Sequence, residues 1–108
     1  LEYSMRYDIN NFSVFKYKEQ DIYKFLEAEK ILVVVEKASV PTNCTKTNLD
    51  SDYTNCMISP DDFTDEYFIT SAGKTFKITV KTPNTADDEE NIYKRIDYML
   101  SSFQVTNK

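Results

Sequence analysis

The chain has 108 residues, 41% apolar and 29% charged, and a net charge of −5. That size and balance describe one globular domain, residues 1–108, with a single modest core. The acidic balance argues against a nucleic-acid partner, which needs cations against a run of phosphates, and against docking on anionic lipid heads. No apolar run approaches the ~20 residues of a membrane-spanning helix, so this segment inserts into no bilayer by that route. Histidine is absent and Gly73 is the one glycine. Histidine triads, histidine metal ligands and glycine-rich phosphate loops are therefore ruled out. A start at Leu1 instead of Met is what a processed mature form or a fragment shows.

Tyr3, Met5, Tyr7 and Ile9 alternate with Ser4, Arg6 and Asp8. This period of two predicts a half-buried strand with the first set inward. Asn10 and Asn11 suit a turn. Residues 12–17 are rich in aromatic and β-branched side chains and predict a second strand. The stretch 21–30 reads two ways. Ile22, Phe25, Leu26 and Glu29 suit a short helix begun by Asp21; Tyr23 and Phe25 equally suit a strand that turns at 27–30. Residues 31–35 form a continuous apolar run, expected as a central strand covered on both faces or nearly so.

Residues 40–56 make the longest irregular segment, rich in Thr, Asn, Asp and Ser. Cys44 and Cys56 bracket eleven residues within it. An even cysteine count at this spacing reads as a disulfide, and so as an oxidising, extracytoplasmic compartment. The alternative is two unpaired thiols in a reducing cytosol. Two cysteines without histidine make a poor zinc site, and the close C-x-x-C spacing of a redox pair is missing.

Ser59-Pro60-Asp61-Asp62 has the form of a helix start: cap, proline at the first position, then acids. The spacing predicts a short helix ending at 65–67, stapled by Ile58 and Phe63. Residues 67–70 then read as a strand, 71–73 as a turn, and 74–81 as the returning strand. Phe76, Ile78 and Val80 face one way, with Thr75, Lys77, Thr79 and Lys81 opposite. Gly73 supplies the positive φ of the turn. Pro83 ends the hairpin.

A helix is expected over 86–103. Ile92, Ile96, Met99, Leu100 and Phe103 share one stripe at 3.6 residues per turn. Thr85 suits the N-cap, and Asp87, Asp88, Glu89 and Glu90 suit the positive end of its dipole. Val105 adds an extended residue or two. The element order predicts an α+β fold: an antiparallel sheet with helices packed on it and an amphipathic C-terminal helix.

Three segments carry a family resemblance. Residues 11–17, Asn-Phe-Ser-Val-Phe-Lys-Tyr, resemble the opening pattern of the PsbP-like family. Residues 67–70 through 73–79 resemble its hairpin, and 96–103, Ile-Asp-Tyr-Met-Leu-Ser-Ser-Phe, its closing helix. The usual glycine before the phenylalanine is Asn11 here, and the usual proline after the tyrosine is Lys18. The resemblance implies an αβα sandwich and a role in docking or assembly without catalysis. It assigns no catalytic residue and no cofactor.

Asp50, Asp52, Asp61, Asp62, Asp65 and Glu66 form an acidic region around the cysteines. Asn48-Leu49-Asp50-Ser51-Asp52 has the alternation of a calcium loop, but Tyr53 stands where its glycine belongs and Ser59 where its last acid belongs. A solvated loop plus a helix cap is the plainer account. Aromatic residues this numerous suit either the core of a small sheet or exposed rings that bind a sugar or a partner. Tyr3 and Tyr7, on one face with Met5 and Ile9, are expected in the core, and Tyr53, Tyr93 and Tyr98 at the surface. Asn11-Phe12-Ser13 and Asn43-Cys44-Thr45 are glycosylation sequons, with chance as the simpler origin. Ser, Thr and Lys are abundant, but none sits in an activating motif. The expectation is a non-enzymatic, extracytoplasmic binding or assembly domain that meets a protein partner, as the mature part of a lipoprotein or a subunit of a surface complex. The polar segment 42–62 is expected to face that partner, through Asn48, Asp50, Asp52 and Tyr53. The alternative class is a small secreted hydrolase or metal-dependent enzyme.

Overall fold

A computed structural model gives the structure of the chain and describes residues 3–26, 31–45, 54–71, 73–82 and 89–106. Eight strands and one helix follow in order: β1 (Tyr3–Ser4), β2 (Phe12–Tyr17), β3 (Gln20–Phe25), β4 (Leu32–Lys37), β5 (Thr54–Asp61), β6 (Thr64–Ser71), β7 (Lys74–Lys81), α1 (Glu89–Ser101) and β8 (Gln104–Val105). β2 to β7 form one antiparallel sheet of order β2-β3-β4-β7-β6-β5. It consists of two three-stranded meanders joined where β4 pairs with β7. β1 and β8 form a separate two-stranded pair that ties the two ends of the described chain.

Register decides which side chains share a face. Phe12 pairs with Phe25, Tyr23 with Val33, Val33 with Val80, Val35 with Ile78, and Ile69 with Phe76. Paired residues of an antiparallel sheet point the same way. All of these belong to one buried cluster with Ile31 and with Ile96, Met99, Leu100 and Phe103 from α1 and its C-terminal turn. The helical stripe thus buries against the apolar face of the sheet, as its period requires. The N-terminal segment completes this layer. Tyr3 stacks on Phe103 at 5.2 Å between ring centroids and meets Phe76 edge-on at 5.7 Å.

The αβα sandwich expected from the sequence is corrected here. The protein is β-rich, and α1 is the single helix among the described residues. The segment expected to supply another helix, 59–67, is the end of β5, a turn and the start of β6. The physical reason is that the same residue types serve an edge strand. Pro60 has no N–H to donate, which an edge tolerates, and the register with β6 shifts between Ile58 and Asp61. The Asp61 carboxylate accepts from the Phe63 N–H at 2.8 Å, closing an Asx turn where a helix cap was expected. Phe63 is exposed at that turn and staples nothing.

Residues 21–25 are strand, which resolves the ambiguous stretch. Tyr3, Met5 and Tyr7 face inward as the alternation predicts, but only Tyr3 and Ser4 form a ladder, and Ile9 is 74% exposed in the turn that follows. Thr85, Asp87 and Asp88, the expected cap and first acids of α1, lie outside the described residues.

A polar network sits inside the helix-covered layer. The Tyr3 hydroxyl donates to Asp21 Oδ2 at 2.7 Å and lies 2.8 Å from the Tyr23 hydroxyl. Burial, then the hydrogen bonds to Tyr23 and Asp21, push the Tyr3 phenol far above the ordinary tyrosine range. Burial raises Tyr23 as well. Because the folded values lie above the ordinary 10.0, the stability held by these phenols is complete below that pH and falls as pH rises past it. Phenolate absorbance should therefore plateau short of the eight tyrosines until the chain unfolds. A smooth titration of all eight in the folded protein would refute the buried network.

Among the described residues two have positive φ, Lys18 at 57° and Gly73 at 77°. A Cβ on Gly73 would meet nothing within 4 Å, so only backbone strain opposes a side chain there. Gly73→Ala should cost about 1 kcal/mol in thermal or denaturant unfolding, and Lys18→Gly should gain roughly 0.5–1 kcal/mol.

Candidate interaction surface

The β2–β3 hairpin closes through the two residues Lys18 and Glu19, with Tyr17 paired to Gln20. In a two-residue hairpin the closing pair exchanges both backbone hydrogen bonds, and every second pair after it does the same. Tyr17, Phe15 and Ser13 therefore direct their backbone groups at β3. Phe12, Val14 and Lys16 direct theirs outward. The Phe12 N–H is taken by the Asp8 carbonyl at 2.9 Å. Beyond Val14 and Lys16 no further strand lies among the described residues, because β2 is the edge of the sheet.

The side chains of this edge are unusual for a solvated strand. Of β2 only Phe12 is buried; Ser13 to Tyr17 are exposed. Five of the eight large apolar side chains exposed among the described residues stand on or beside β2: Ile9, Val14, Phe15, Tyr17 and Leu26. Leu26 joins the turn before β2 by donating its N–H to the Asn11 carbonyl. Lys24 and Lys18 lie over the rings of Phe15 and Tyr17, each with Nζ 5.5 Å from the centroid. Such a pair leaves the ring open on its other side.

Phe15 also begins a row across the face opposite α1. Register places Phe15, Ile22, Val34, Thr79, Glu66 and Ile58 side by side on it. Beside that row Lys77 bridges Glu36 at 3.8 Å and Glu66 at 3.5 Å. These pairs are partly solvated and add little stability, but they fix charge in the middle of the face. The face is thus mixed, apolar toward β2 and β4, charged at β7 and β6.

The opposite edge is closed. Cys44 and Cys56 form a disulfide with Cα atoms 5.4 Å apart. Thr45 bridges Met57, the two exchanging hydrogen bonds of 3.1 and 2.6 Å. Pro60 and the register shift disrupt the remainder of β5. Proline, a bulge and a covering segment are devices by which sheets avoid unwanted pairing at an edge. The disulfide stands on the face away from α1, where Cys56 and its neighbour Phe68 are both buried.

Of the residues expected to face a partner, Asn48, Asp50, Asp52 and Tyr53 lie outside the described residues, as does the calcium-loop pattern they belong to. β5 occupies Thr54–Asp61, so 42–62 is not one loop. The remaining acids do not converge. Asp65 accepts from Ser59 Oγ at 2.6 Å, Glu66 pairs with Lys77, and Asp61 is in its turn. Among the described residues no three His, Cys, Asp or Glu side chains stand together to hold a metal ion. Asn43 is exposed, whereas the Asn11 amide donates to Asp8 and is tied into its turn.

A shallow groove of about 510 Å³ runs along the outer flank of α1, lined by Tyr7, Asp8, Lys94, Arg95 and Tyr98. Its centre is a tie: Arg95 Nη1 donates to Asp8 Oδ2 at 2.9 Å. Asp8 also accepts from the Asn10 N–H and the Asn11 amide, and these bonds with Arg95 hold its carboxyl below the ordinary range. This constellation pins the first segment to the helix and contains no nucleophile with a base beside it.

The edge position of β2 was missed at the sequence level. Its signal was present as consecutive apolar residues, Val14 and Phe15, ringed by Lys16, Lys18 and Lys24. A central strand next to a charged turn reads the same way, so neighbours in space were needed to tell them apart.

No protein-family model and no curated protein matches this sequence. A crystal structure from Bacteroides thetaiotaomicron VPI-5482 is similar, with a TM-score of 0.60 over 99% of this chain at 8% identity. This chain spans 46% of the length of that one. At such identity the likeness concerns the fold alone.

The Cys44–Cys56 crosslink closes a small loop of the unfolded chain. Replacing both cysteines by serine should cost roughly 3 kcal/mol on the chain-entropy account, read as a lower denaturation midpoint. An unchanged midpoint would show that the bridge contributes nothing to the edge it closes.

Proposed function

We propose that this chain is a non-enzymatic binding or assembly domain that works in an oxidising, extracytoplasmic compartment. One observation carries the binding reading: an edge strand with no outer neighbour among the described residues, whose exposed side chains are mainly apolar and aromatic. Solvated edges are ordinarily blunted by proline, a bulge or charge; β5 at the other edge shows the first two, and within β2 the one charge is Lys16. Exposed rings at a rigid edge are the composition of a protein-contacting patch. The compartment reading is supported by the Cys44–Cys56 disulfide, since such bonds persist where thiols are not kept reduced. The docking role implied by the PsbP-like resemblance points the same way, and its opening motif falls on β2 itself.

Crosslinking in the native envelope tests this reading. The wild-type chain should yield a defined protein partner, and Phe15→Ser with Tyr17→Ser should lose it while thermal unfolding stays within about 1 kcal/mol, since both sites are exposed. Partner recovery unchanged by the double substitution would remove β2 from the contact. Free alkylation of both cysteines in protein isolated without reductant would remove the compartment.

A further inference from the structure

The edge of β2 has a specific chemistry, and its occupant follows from it if the binding reading holds. We propose that β2 accepts an added strand: an extended, acidic segment of a partner protein, hydrogen-bonded to the backbone of Val14 and Lys16.

The backbone geometry sets the register. Val14 and Lys16 each present one N–H and one C=O outward, while Phe12 presents only its carbonyl because Asp8 has taken its N–H. An incoming strand therefore has a short ladder centred on Val14 and Lys16, bounded at one end by the turn before β2 and at the other by the Lys18 turn. Its side chains would alternate between the two faces. On the face away from α1 they meet Phe15 and Tyr17, each already carrying a lysine over its ring. On the other face they meet Val14 and Lys16.

Charge selects the occupant. Lys16, Lys18 and Lys24 stand against one exposed acid of this hairpin, Glu19, in a chain whose net charge is −5. The edge is thus a positive strip on an acidic protein. A strand with carboxylates beside apolar residues complements both the ammonium groups and the rings. A second copy of this chain is disfavoured on two counts. Pairing β2 with itself sets two lysine-bearing edges together, and six residues of strand bury less than the ~1,200 Å² of a stable interface.

The probe is a labelled, end-blocked octapeptide of alternating Glu and Val, with an alternating Lys and Val octapeptide as its basic twin. Binding to the full chain is read by fluorescence anisotropy at low and high salt, and backbone amide exchange is read by NMR. The acidic peptide should bind about tenfold or more tightly than the basic one at low salt, and weaken with salt. It should protect the amides of Val14 and Lys16, which have no backbone partner among the described residues. Val14→Pro removes an outward N–H without touching the β2–β3 ladder, and should weaken binding about tenfold or more. Lys16→Glu with Lys24→Glu should reverse the preference between the peptides.

Absence of binding, equal binding of the two peptides, or protection that leaves Val14 and Lys16 unchanged would overturn the proposal. Should Val14→Pro not fold, the amide protection and the lysine reversal decide alone. Self-association of the wild type that Val14→Pro abolishes would make a second copy the occupant and likewise overturn it. A β2-dependent crosslinked partner with unprotected Val14 and Lys16 amides would leave the binding reading standing and reject strand addition.

Discussion

The fold depends on one long-range pairing, β4 against β7. The two meanders, β2-β3-β4 and β5-β6-β7, meet only there within the sheet. Val33 opposite Val80 and Val35 opposite Ile78 are all buried, and the α1 stripe belongs to the same cluster. Truncating one such side chain costs about 2–5 kcal/mol, a large part of the ~5–15 kcal/mol that holds a domain together. The pairing is also distant in sequence, so loop-closure entropy opposes it. The Cys44–Cys56 bridge shortens the connection between the halves, and β1 with β8 ties the ends.

With the centre settled, the two edges differ for physical reasons. β5 is broken by Pro60, shifted in register, bridged by Thr45 and crosslinked. β2 has none of these. It retains regular pairing with β3 over six residues, and no strand among the described residues pairs with its other side. Keeping Val14, Phe15 and Tyr17 in solvent gives up about 25 cal/mol for each Å² left unburied. The lysines over Phe15 and Tyr17 keep that edge soluble while leaving it able to pair.

The polar interior has the opposite character. Tyr3, Asp21 and Tyr23 satisfy one another beneath the helix layer, where an unpaired hydroxyl would cost about 1–3 kcal/mol. They lock the N-terminal segment onto the sheet, as Arg95 and Asp8 lock it onto α1. These two networks thus use phenols, carboxylates and a guanidinium to hold the N-terminal segment in place.

Some of this was legible without coordinates. The period of Phe76, Ile78 and Val80 and the glycine before them specify the β6–β7 hairpin, because a strand alternates whatever surrounds it. The spacing of Ile96, Met99, Leu100 and Phe103 specifies a buried helical stripe for the same local reason. The cysteine spacing anticipates the disulfide. Other features required tertiary structure. Ser59-Pro60-Asp61-Asp62 carries signals shared by a helix cap and by a bulged edge strand with an Asx turn, and pairing with β6 chose the second. Residues 21–25 became strand because β2 and β4 stand on either side, and Ile9 was turned outward by the bonds that Asp8 makes. Edge or centre is a property of neighbours, not of residues. The exposure of Phe15 and Tyr17, and with it the candidate surface, was decided only by the place of β2 at the end of the strand order among the described residues.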